Sequence, residues 1–128
     1  MDFSDLDVTT AADKGAEMQV RHPVTGEAMD ATIMLLGSDS KTFRDIVRDR
    51  ARDAMNQRKR KNVSLEEAEE QALSTLVRCT VSWKGVQEKG ESLKCTPENV
   101  EHMYKGYPWL REQVDEFIGD RANFLKSA

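Results

Sequence analysis

The chain has 128 residues, 38% of them hydrophobic and 33% charged, with a net charge of −4. That length favours one domain with one real core, and the acidic balance removes any global attraction for nucleic acid or an anionic membrane. No run approaches the ~20 apolar residues of a membrane span, and the acidic start MDFSDLDVTT lacks the basic and then apolar pattern of a signal peptide.

Residues 1–15 mix Asp, Ser, Thr and Ala without apolar periodicity. This predicts a disordered N-terminal arm ahead of a single domain over residues 16–128. Phe3 and Leu6 read either as exposed residues of that arm or as a small docking stripe. Glu17-Met18-Gln19-Val20-Arg21 alternates polar and apolar residues, which predicts a strand with Met18 and Val20 on one face. His22-Pro23-Val24-Thr25-Gly26-Glu27 carries turn chemistry, with Gly26 free to adopt a left-handed conformation. Ala31 to Leu36 is β-branched and apolar and ends at Gly37. The result is a hairpin, which must pack on helices because two strands alone are marginal.

Ser38-Asp39-Ser40 offers several N-cap oxygens. A helix from Lys41 to Arg60 follows, with Phe43, Ile46, Val47, Ala51, Ala54 and Met55 on one stripe. The opposite face alternates Arg44, Asp45, Arg48, Asp49, Arg52 and Asp53, a solvated face with weak local ion pairs. The basic run Gln57 to Asn62 reads either as a patch for nucleic acid or an acidic partner, or as cations favoured by the dipole at a helix C-terminus. Ser64-Leu65-Glu66-Glu67 is a capping box with Val63 as a staple. Leu65, Ala68, Ala72, Leu73, Leu76 and Val77 form the stripe of a second helix, which fades through Thr80-Val81-Ser82, residues that prefer extended backbone.

Trp83 precedes a Lys84-Gly85 turn, and Leu93-Lys94-Cys95 reads as a short extended step. Thr96-Pro97-Glu98-Asn99 starts a third helix, with Thr as the cap and Pro at the first position, and Val100, Met103 and Tyr104 on one face. Gly106 is expected to end it in a left-handed conformation. Tyr107-Pro108-Trp109 opens the last helix, in which Leu110, Val114, Phe117, Ile118 and Leu125 share a face. The fold class is therefore α+β, mainly helical with about four helices, and with one N-terminal β-hairpin.

The search for chemistry ends in negatives. Cys79, Cys95, His22 and His102 are the soft metal ligands available, but their spacing matches no compact finger. No nucleophile turn or phosphate-cradling glycine loop is present, and the many carboxylates fall on solvated helix faces. The expectation is a chain without catalytic residues, metal or cofactor, and with both cysteines reduced. The aromatics are more informative. Trp83 and Phe117 read as core. Tyr104, Tyr107 and Trp109 sit at helix ends, where such rings serve either as core or as anchors for a protein partner.

The order Trp83-Lys84-Gly85-Val86, Gly90-Glu91, Thr96-Pro97-Glu98-Asn99-Val100, then Tyr107-Pro108-Trp109-Leu110, Gln113 and Phe117 resembles the tail assembly chaperones of long-tailed bacteriophages. The resemblance covers about Thr32 to Leu125 and is most specific from Cys79 onward. Members of that family are small, mostly helical proteins that act without cofactors in the cytoplasm of the host bacterium. The resemblance implies a non-enzymatic chaperone that binds the tape-measure protein, helps recruit major tail (tube) subunits and leaves the finished particle. It carries over no catalytic residues. A tape measure is a long helical chain with exposed apolar stripes, so Tyr104, Tyr107 and Trp109 are the candidate partner-binding residues. Met18, Met34, Met55 and Met103 read as core or as adaptable surface. Self-association is compatible with this role. Two rivals stand beside it: a structural minor tail or head–tail connector protein, and a small nucleic-acid-binding regulator using Arg58 to Lys61.

Overall fold

The computed structural model describes residues 2–56 and 64–125. Among these it contains five α-helices and five strands, an α+β arrangement. Helix α1 spans Val8–Lys14, β1 Ala16–Arg21, β2 Ala28–Leu35, α2 Lys41–Asn56 and α3 Leu65–Arg78. They are followed by β3 Thr80–Lys84, β4 Gln87–Glu88, β5 Glu91–Ser92, α4 Pro97–Gly106 and α5 Pro108–Gly119.

The expected hairpin is β1–β2. His22 shapes its turn: Nδ1 accepts from the amides of Val24 and Thr25, while Gly26 takes φ 74°. The sequence reading differs in strand number. β3 pairs antiparallel with β2, setting Ile33 opposite Trp83, so the sheet has three strands in the order β1–β2–β3. β4 and β5 form a second, short hairpin. The register of β1 on β2 slips between Gln19 and Arg21, and the side-chain Nε2 of Gln19 donates to the carbonyls of Met29 and Ala31 at that irregularity. Gly85 turns the chain out of β3 at φ 72°, where a Cβ would stand 2.7 Å from the carbonyl oxygen of Asp30.

Alternation places Met18 and Val20 of β1 and Ile33 and Leu35 of β2 on the buried face. Against them pack Leu73 and Leu76 of α3, Val100, Met103 and Tyr104 of α4, and Leu110, Val114 and Ile118 of α5. Ser64 caps α3 by accepting from the amide of Glu67 at 3.1 Å, and Thr96 caps α4 by accepting from Asn99 at 3.2 Å. Trp83 and Phe117 pack against this core but are only half-buried, and the Trp83 indole donates to the carbonyl of Leu93 at 2.8 Å.

The N-terminal segment departs from the expected disorder. Asp7 caps α1 through the amide of Thr10. Ala12 is buried, its carbonyl accepts from the amide of Gly37, and Asp13 accepts from the amide of Lys41 at the start of α2. The arm is thus tied down by non-local bonds that composition cannot report, while Phe3 and Leu6 stay exposed. Helix number is also higher than expected, because α1 adds a fifth. Gly106 is not left-handed; it is the last residue of α4, and Tyr107 makes the break at φ −128°. The last helix stops at Gly119, short of Leu125, and Asp120 caps a 3-10 turn over Arg121–Asn123 instead. The described part of α2 ends at Asn56, so Val63 and the basic run Gln57 to Asn62 lie outside the described residues.

Candidate functional site

The three candidate aromatics divide between interior and surface. Val100 and Tyr104 are one helical turn apart on the buried face of α4. Tyr104 is 0% exposed, with its hydroxyl 2.7 Å from Thr80 Oγ1. The Thr80 hydroxyl already donates to the carbonyl of Leu76 at 2.8 Å, so the phenol is the donor between them. Burial raises the phenol pKa. Tyr104 therefore joins α4 to the α3–β3 junction and offers no surface to a partner, which corrects its place among the partner-binding candidates.

Tyr107 and Trp109 remain at the surface. Tyr107 ends α4 with its amide, which donates to Met103, and starts α5 with its carbonyl, which accepts from Leu110. Pro108 fits the next position because its missing N–H would have had no helical partner. Both rings are half-buried and meet edge to face, with centroids 6.3 Å apart. The Tyr107 hydroxyl donates to Glu88 Oε2 at 2.8 Å, and His102 Nε2 lies 2.9 Å from Glu88 Oε1. The bonds from Tyr107 and then His102 hold the Glu88 carboxyl below its ordinary pKa. Acceptance by Glu88 in turn raises the pKa of Tyr107. One edge of this corner is therefore occupied by the β4–β5 hairpin, and Trp109 carries the apolar surface that remains.

A second exposed apolar surface lies on α2. Of the α2 stripe, only Ile46 is buried, while Val47 is 51% and Met55 68% exposed. Val47, Ala51 and Met55 stand at i, i+4 and i+8, an exposed line about 12 Å long, with Ala54 beside it. Near its middle α2 is tied to α3 by Arg50, which donates to the carbonyl of Gln71. Leu65, at the start of α3, is 76% exposed. The sequence reading puts these residues on one helical stripe and leaves Met55 as core or adaptable surface. Periodicity identifies the apolar face of a helix but not whether another element covers it. Of the four methionines read as core or adaptable surface, Met18 and Met103 are buried, Met34 is half-buried and Met55 is open.

Cys79 is fully buried and its thiol is pushed up to about 11 by that burial; Cys95 is half-buried and also raised. Both are free thiols. His22 is committed to its turn and His102 to Glu88. Among the described residues, no group of three or more His, Cys, Asp or Glu side chains is placed to hold a metal ion, and no helix is long and apolar enough to cross a membrane. Comparison with protein-family models, curated proteins and solved structures gives no match to this chain.

Proposed function

We propose that this chain is a non-enzymatic tail assembly chaperone of a tailed bacteriophage, acting in the host bacterial cytoplasm on the tape-measure protein and helping to recruit tail-tube subunits. The partner comes from the resemblance of Trp83 to Phe117 to that family. The observation that carries the mechanism is the uncovered α2 line of Val47, Ala51 and Met55. An amphipathic helix recognises a helix-shaped apolar line through its own i, i+4, i+8 residues. A methionine in that line can repack against successive, non-identical stretches of a long partner. Trp109, at the α4–α5 corner, is the second anchor.

The test is co-expression with a tape-measure protein, followed by purification of the complex and, separately, of finished particles. The proposal expects the tape measure to stay soluble only with the chaperone and the chaperone to be absent from particles. Recovery of the chain as a stoichiometric particle component would instead favour a structural tail or connector role. Failure to bind the tape measure at all would remove the proposal.

A further inference from the structure

The sheet has a free edge at β1, and it faces a walled cleft. Three bonds fix which peptide groups point outward. The amide of His22 donates inward to Glu27, the amide of Leu36 donates to Cys79 on the far side of β2, and the amide of Arg21 points away from β2. Alternation then turns the N–H and C=O groups of Glu17 and Gln19 to the open edge. α5 runs along this edge and bonds to it through one side chain. The Gln113 side chain accepts from the amide of Arg21 at 3.0 Å and donates to its carbonyl at 2.8 Å, as a neighbouring strand would. From there the cleft, about 1070 Å³ in volume, opens along Glu17 and Gln19, with Met18 and Phe117 beneath and Asp115, Glu116 and Asp120 on the α5 side.

The charge in this cleft is one-sided. The side chains of Glu17, Asp115 and Glu116 have no hydrogen-bond or ion-pair partner among the described residues. Among the described lining residues the one guanidinium, that of Arg21, is turned to the carbonyl of Gly26 in the hairpin turn. An exposed strand edge is a template for a further strand, and a wall beside it makes a slot in which alternate side chains of an added strand meet defined surfaces.

We infer that the slot between β1 and α5 binds an extended, lysine- or arginine-bearing segment of a partner protein by strand addition. The partner's backbone pairs with Glu17 and Gln19, and its cations face Glu17, Asp115 and Glu116. This surface is separate from the α2 line and does not rest on the chaperone reading.

The probe is a short peptide of alternating lysine and valine, compared with the same peptide N-methylated on alternate amides. Binding is read by fluorescence anisotropy, and amide exchange of the full chain locates the site. The expected result is saturable binding that weakens with salt, new protection at the amides of Glu17 and Gln19, and roughly tenfold or greater weakening on N-methylation. A Glu17→Gln/Glu116→Gln variant with wild-type melting should weaken binding by about the same factor. The inference is overturned by absence of binding, by equal affinity of the N-methylated peptide, or by protection elsewhere. It is equally overturned if Glu17 and Gln19 become protected with rising protein concentration alone, which would assign the edge to a second copy of the chain.

Discussion

The hydroxyl of Tyr104 donates to Thr80, and Thr80 donates to Leu76, so a chain of two hydrogen bonds runs from the core face of α4 to the end of α3. Every member of that relay is satisfied inside the protein, which is why Tyr104 belongs to the fold and not to an interface. Tyr104→Phe keeps the ring and removes one buried bond. It should cost about 1 kcal/mol in a denaturant melt and leave partner binding unchanged. Tyr104→Ala should cost about 3–5 kcal/mol and unfold a domain of ordinary stability. A wild-type midpoint for Tyr104→Ala would contradict the burial.

Two glycine substitutions should act in opposite directions. Gly85→Ala meets both a left-handed backbone and the carbonyl of Asp30, and should destabilise by about 1–3 kcal/mol. Gly106→Ala, helical and with nothing within 4 Å of an added Cβ, should stabilise by up to about 1 kcal/mol. Thermal melts of the two variants decide it. Destabilisation by Gly106→Ala would restore the left-handed cap expected from sequence.

Asp39 and Arg121 form a paired bridge, at 2.7 and 3.0 Å, between the loop before α2 and the turn after α5. The hydrogen bond from Arg121 holds the Asp39 carboxyl below its ordinary pKa. A depressed carboxyl contributes stability above its unfolded pKa and loses it as the pH falls through the folded value. Asp39→Asn should therefore lower the melting temperature at neutral pH and flatten its fall below about pH 4. An unchanged acid limb would show that the bridge contributes nothing.

Cys79 should resist alkylation in the native protein, because burial both shields the thiol and raises its pKa to about 11. Thiol titration should find Cys95 reacting first and both cysteines reacting after denaturation. Native labelling of Cys79 at the rate of Cys95 would contradict this.

Local signals carried much of the architecture. Ser64, Thr96, Pro97 and Pro108 start helices because their chemistry is satisfied within one turn, and the β1–β2 hairpin follows from alternation and the Gly26 turn. Two misses are local, the left-handed cap at Gly106 and the extension of α5 past Gly119; the others are non-local. Nothing near Thr80 to Lys84 announces that these residues join β2, and nothing near Ala12 announces Gly37. The site was half legible. The shared face of Val100 and Tyr104 was a signal for an inward-facing Tyr104 that the sequence reading left unused when it kept Tyr104 as a partner-binding candidate, whereas the exposure of Val47 and Met55 depends on what the rest of the chain leaves open.

The central claim is that the α2 line grips a helical partner, and a co-purification with a tape-measure segment tests it most directly. Val47 and Met55 are replaced by serine, and circular dichroism and melting are recorded alongside. Exposed positions of this kind usually shift stability by less than about 0.5 kcal/mol, so the variant should fold as wild type. The account predicts that this folded variant loses the tape-measure segment, while Trp109→Ala weakens retention and Tyr104→Phe leaves it intact. Full retention by a folded Val47→Ser/Met55→Ser protein would contradict the account.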